Sequence, residues 1–234
     1  MDVKRRTAVI VGILYIIGTA AGVLSVLTTQ PVLGSPDYLA MIAADNTPIL
    51  AGILLVLTMG FALAVIPVIL YPVLKKQNEV LALGYVVFRG ALEMVMYIAM
   101  AAVWSFLVLV GRAYGGAAAA DVSVLQTLGG ILRESNDSIA DILVIVFSLD
   151  ALMLYVLLYQ SRLVPRWISV WGFIAILMHF STAFVHMFHL VEPGMSAAVD
   201  AVNLPIFLQE MVMAVWLIAR GFDPAAMKTL AVRS

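Results

Sequence analysis

Apolar residues do not alternate with polar ones along this chain; they come in long blocks separated by short polar stretches. Six blocks reach the length that crosses a bilayer, about 20 residues at 1.5 Å each: 7–28, 48–74, 80–110, 139–159, 167–191 and 203–220. Backbone polar groups find no water in hydrocarbon, and no period of two runs through these blocks, so helices are predicted rather than a closed barrel. The expected fold is all-α: a polytopic membrane protein formed as a six-helix transmembrane bundle, one domain over 1–234. The first block follows Lys4-Arg5-Arg6 as a signal peptide would. Its apolar stretch is too long for one and no clear cleavage site follows, so it is expected to be retained.

The polar stretches predict little further structure. In GRAYGGAAAADVSVLQTLGGILRESNDS, Val124, Leu125, Leu128, Ile131 and Leu132 recur at helical spacing, which predicts a short interfacial helix over about 122–133. The alternative is that the fourth helix extends back through this segment, with Gly129-Gly130 as a break. The loop TQPVLGSPDYLAMIAADNTP holds three prolines and has room for one short helix over 37–44. ILYPVLKKQNEVLALGY and LLYQSRLVPRWISVWGF share Leu-Tyr, a basic turn and Gly-aromatic. A duplicated helical hairpin is one reading; the common needs of any tight hairpin, an interfacial tyrosine and a small packing residue, are the other.

Charge sets the orientation. With six spans both termini share a side, and that side holds Lys4, Arg5, Arg6, Lys75, Lys76, Arg162, Arg166, Arg220, Lys228 and Arg233, ten of the thirteen basic residues. The opposite loops hold Arg112 and Arg133, so both termini are expected in the cytoplasm of a multi-pass protein of the cell membrane. Composition agrees: 64% hydrophobic, 12% charged and a mean hydropathy of +1.08, against about half apolar and a quarter charged in soluble domains. A net charge of -1 gives no basic field for nucleic acid. The bilayer is the partner expected, with a small polar solute, a proton or a second copy of the chain as the others the polar residues allow. The absence of cysteine excludes disulfides, thiolate zinc sites and cysteine nucleophiles.

Three segments carry a resemblance: LYPVLKKQNEVLALGYVVFR, LLYQSRLVPRWISVWG and NLPIFLQEMVMAVWLIARGF. Together the chain resembles the domain-of-unknown-function 4386 family of bacterial and archaeal membrane proteins, over nearly its whole length. The resemblance implies a compact helical membrane protein and no established activity, so chemistry has to be argued from the polar residues.

Depth along each span places Arg89 and Glu93, Asp150, His179, and Gln209 with Glu210 near the midplane, on four different helices. A lone charge at that depth costs about 2.5 to 3.5 kcal/mol, so these groups are expected to face inward and pair. Arg89 and Glu93 are four apart and can pair locally, yet one arginine cannot neutralise three carboxylates. Protonation, His179 or a bound cation has to make up the difference. The competing reading is a set of separate hydrogen bonds between helices.

His179, His186 and His189 fall on one helical face. His186 and His189, with Asp141 from the next helix, offer nitrogen and oxygen ligands for zinc or a similar ion, although no HExxH occurs. Asp141 is equally explained as part of a capping box with Ser138 at the start of the fourth helix. Asn203-Leu204-Pro205 reads as the start of the sixth. No GxSxG, phosphate loop or dinucleotide fingerprint is present. Ser181 and His179, two apart on a helix, point in nearly opposite directions.

The expected site is thus Arg89, Glu93, Asp150, His179, Gln209 and Glu210, binding or translocating a small polar solute or proton, with no cofactor. The alternatives are an intramembrane metal-dependent hydrolase using His186, His189 and Asp141, and a structural or accessory subunit without a site.

Overall fold

In the computed structural model, which describes residues 3–188, 190 and 201–232, every regular element among the described residues is helical. In chain order these are α1 (Val3–Leu33), α2 (Tyr38–Ala44), α3 (Thr47–Leu74), α4 (Glu79–Val87), a π-helical turn (Phe88–Leu92), α5 (Glu93–Gly115), α6 (Ala119–Ser161), α7 (Arg166–Met187), α8 (Leu204–Ala219) and α9 (Pro224–Val232). Among the described residues α1, α3, the α4–α5 run, α6 and α7 are each long and apolar enough to cross a bilayer, and α8 with α9, bent by 85°, makes a sixth if the pair is one span. The chain is a multi-pass membrane protein. Its burial pattern has the sense expected in lipid: Leu54, Phe61, Val68 and Leu109 are exposed, while Arg89, Glu93, Asp150 and Gln209 are buried. Several hydroxyls within the helices return to their own backbone, as Thr58 does to Leu54 O, Ser148 to Val144 O and Ser181 to Met178 O, which satisfies them without a partner helix.

The chain forms two compact units. The first comprises Met1–Ile17, Ala62–Met94 and Asp141–Ser234. Here the start of α1 lies along α8, where Arg5 donates to the carbonyls of Leu217, Ile218 and Ala219 at 3.2, 2.6 and 3.1 Å. Ile218 and Ala219 are among the carbonyls that a helix end leaves without donors, while Leu217 O also accepts from Gly221 N. Gln77 donates to Gln160 at 3.3 Å, joining the turn after α3 to the end of α6, and Asn78 caps α4 through the N–H of Leu81. α8 stops at Gly221, whose φ of 75° suits glycine. Asp223 then caps α9 by accepting from Ala226 N at 2.8 Å.

The second unit comprises Gly18–Phe61 and Val95–Ala140. Ser25 donates to Gly52 O at 3.1 Å, Trp104 Nε1 donates to Asn136 Oδ1 at 2.8 Å, and the Arg133 guanidinium lies over the Tyr38 ring at 5.6 Å. The short helix expected over 37–44 is α2, preceded by Asp37.

Three expectations are corrected. No separate interfacial helix spans 122–133; α6 runs unbroken for 43 residues through Gly129-Gly130. Gly129 is there for packing: a Cβ on it would lie 2.5 Å from the Tyr38 hydroxyl, and the close approach outweighs the roughly 1 kcal/mol that glycine costs a helix. It follows that Ser138 and Asp141 sit inside a helix rather than at its start, and Ser138 donates to Glu134 O at 3.0 Å instead of capping. Third, the block at 203–220 is followed by α9, a turn-linked helix that the apolar count does not contain.

Candidate functional site: a buried arginine among three carboxyls

The site lies within the first unit and is organised by one irregularity. Between α4 and α5 the helix widens into a π turn at Phe88–Leu92, where the Glu93 N–H reaches back five residues to Phe88 O. Such single wide turns are rare and recur at functional positions. Arg89 sits in this turn, 2% exposed.

Its guanidinium is shared among three carboxyls from three helical segments. Arg89 Nε lies 3.3 Å from Glu93 Oε2, Nη1 lies 3.4 Å from Asp150 Oδ1 on α6, and Nη2 lies 3.5 Å from Glu210 Oε1 on α8. All three separations exceed the roughly 2.7–2.9 Å of a tight charge-assisted bond, so the cation is held between its partners rather than closed on one. The Asp150 carboxyl also lies against that of Glu93, while its Oδ2 has no hydrogen-bond partner among the described residues. Side-chain exposure is 1% for Glu93, none for Asp150 and 15% for Glu210. Glu210 is therefore the one carboxyl of the three that is partly exposed.

Aromatic rings enclose the cation. Arg89 Cζ lies 5.0 Å from the centre of the Phe147 ring and 5.7 Å from that of Tyr15, and the Tyr15 and Tyr85 hydroxyls approach to 3.4 Å. Ring faces add cation–π attraction where water is absent.

The other two residues of the expected site stand to either side. Gln209 Oε1 accepts from the Tyr155 hydroxyl at 2.6 Å and its Nε2 donates to Ile168 O at 3.1 Å. Gln209 thus ties α8 to α6 and α7. His179 packs edge-on against Phe147 at 5.2 Å, the ring that Arg89 also meets. His179 Nδ1 lies 2.7 Å from Asn203 Oδ1. Asn203 precedes α8 as expected but makes no side-chain cap there.

Tyr15, Tyr85, Phe147 and Tyr155 are absent from the expected site. A tyrosine within an apolar block needs a partner for its hydroxyl, and that signal was available for all three tyrosines. Nothing in the sequence marks Phe147.

Of the metal-ligand set, His186 Nδ1 lies 3.5 Å from Asp141 Oδ1, and His189 lies outside the described residues. Among the described residues no group of three or more His, Cys, Asp and Glu side chains is arranged to hold a metal ion.

A family model described as a domain of unknown function, DUF4386, matches residues 10–221. The chain belongs to the DUF4386 family. That match includes every residue of the arginine–carboxyl cluster, from Tyr15 to Glu210. No curated protein and no solved structure matches this DUF4386 chain significantly.

Proposed function

We propose that this DUF4386 protein binds or translocates a proton or a small polar solute through the cluster of Arg89, Glu93, Asp150 and Glu210. The observation that carries the reading is the charge count: one guanidinium faces three carboxyls, two of them fully enclosed. Fully ionised, the cluster would hold two uncompensated negative charges in a low-dielectric site, at a cost of several kcal/mol each. Neutrality requires protons or a bound positively polarised solute.

In this mechanism Arg89 is the fixed counter-ion and Glu210, the partly exposed carboxyl, exchanges first. Glu93 and Asp150 hold the charge balance while Glu210 is loaded or emptied. The even spacing of the three contacts lets the guanidinium lean from one carboxyl to another with little rearrangement. Gln209 and His179 position helices around the cluster.

Reconstituted into liposomes containing a pH-sensitive dye, the parent protein is expected to give a proton- or solute-linked signal under an imposed gradient. Glu210→Gln is expected to abolish it. An unchanged signal from a Glu210→Gln protein that melts like the parent would overturn the assignment.

The bias of basic residues supports cytoplasmic termini. The bonding of Arg5 to the last carbonyls of α8 supports a shared side for the start of α1 and the end of α8. The lack of native cysteine makes the test direct: with a membrane-impermeant maleimide on intact cells, Glu134→Cys is expected to label and Lys75→Cys to label only after permeabilisation. The reverse pattern would invert the topology.

A further inference from the structure

At the end of the first unit where Arg5 meets α8, a pocket of about 900 Å³ opens between the α6–α7 turn and the α8–α9 corner. Arg162, Arg166 and Arg220 line it, with Trp216 on one wall and Gln77 and Gln160 on another. The two loops are fixed to each other by the N–H of Asp223, which donates to Leu163 O at 3.0 Å. Asp223 also lines the pocket, but its carboxylate is engaged at the start of α9.

Three features together point to a ligand. First, three arginines and one acidic residue line the pocket, and none of the three arginines forms a salt bridge among the described residues. Arg5 contrasts with them, being occupied by backbone carbonyls. Second, Arg162 holds a φ of 57°. This left-handed conformation is costly for a bulky side chain and easy for glycine, and strain of this kind collects at ligand clamps and active sites. Third, the pocket stands beside an aromatic cluster: Trp167 stacks on Trp171 at 6.3 Å and meets Trp216 edge-on at 6.4 Å. Arg166 lies over the Tyr159 ring at 4.8 Å. Tryptophan and tyrosine gather at the depth of lipid headgroups.

We propose that this pocket binds a phosphate-bearing anion, and that its position in the aromatic belt makes the natural source an anionic phospholipid headgroup. Arginine suits the role because its planar fork pairs with phosphate oxygens through two parallel bonds. Basic pockets between helices on the cytoplasmic side are a recurrent form of headgroup site. The assignment makes no use of the buried Arg89 cluster, so either can fail without the other.

The test uses the purified full chain, with binding read by native mass spectrometry for three probes: phosphatidylglycerol, phosphatidylcholine and inorganic phosphate. Phosphatidylglycerol is expected to bind well above phosphatidylcholine, and Arg166→Gln, Arg220→Gln and Arg162→Gly each to weaken it about fivefold. Arg162→Gly separates this role from a structural one, since relief of the left-handed strain is expected to raise the melting temperature while binding falls. If inorganic phosphate binds alone and displaces the lipid, the phosphate chemistry stands with a soluble source. Equal binding of the two lipids, or variants that bind as the parent does, would overturn the proposal.

Discussion

Arg89 and Glu93 are joined at 3.3 Å across the π turn that separates α4 from α5. The pair lies on one helix, yet the same guanidinium also meets carboxyls from two others, Asp150 and Glu210. Removal of the cation should therefore be felt by all of them. Arg89→Met is expected to destabilise the protein by about 3–5 kcal/mol, the cost of stranding buried charge, as read by unfolding in mixed micelles. Arg89→Lys should recover only part of this, because an ammonium is a point charge without the fork that reaches three carboxyls. A fully stable Arg89→Met protein would mean that the carboxyls carry no charge to strand.

The Tyr155–Gln209 bond tests the neighbouring contact. Tyr155→Phe leaves Gln209 Oε1 buried without its donor, at an expected cost of about 1–3 kcal/mol. Adding Gln209→Met removes the stranded group and should restore part of the loss. Simple additivity of the two changes would show that the residues do not interact.

Two glycines should respond in opposite directions to the same substitution. A Cβ on Gly172 would run into the Tyr155 ring, so Gly172→Ala is expected to destabilise by about 1–3 kcal/mol through overpacking. Around Gly130 nothing lies within 4 Å of the added atom, and alanine is expected to stabilise α6 by up to about 1 kcal/mol. Thermal melts of the two variants in the same detergent check both signs.

Asp45, between α2 and α3, accepts from Thr47 N at 2.9 Å. Bonding to Thr47 holds its carboxyl below the usual carboxylate range. A depressed folded value stabilises the corner fully above the unfolded value, near 4, and that contribution is lost as pH falls through the folded value. Exchange of the Thr47 amide hydrogen, corrected for its intrinsic pH dependence, should accelerate over that acid range in the parent. In Asp45→Asn the acid step should be absent.

The spans were legible because their signal is length, and a bilayer imposes length on any sequence that crosses it. The 43-residue α6 was not, because its polar section at 133–138 and its glycine pair carry the local signs of a loop. What overrides those signs is tertiary: Tyr38 fills the space that Gly129 leaves. The meeting of Arg89, Glu93, Asp150 and Glu210 could be anticipated from depth alone, since charges at one level in lipid have few other partners. Phe147 could not, because which ring covers a cation depends on how helices cross. The π turn left no mark either: FRGAL contains no proline and nothing that spacing distinguishes from an ordinary helix.

That wide turn makes the number of residues a determinant in its own right. A π turn takes in one residue more than an α turn, so deleting one position within Phe88–Leu92 would restore a regular helix in which Tyr85 and Glu93 keep nearly their present alignment while the residues of the turn itself move. A shortened chain could retain both flanking side chains and still lose the placement of Arg89. Scanning by single deletion, rather than by replacement, is the sensitive probe of this segment.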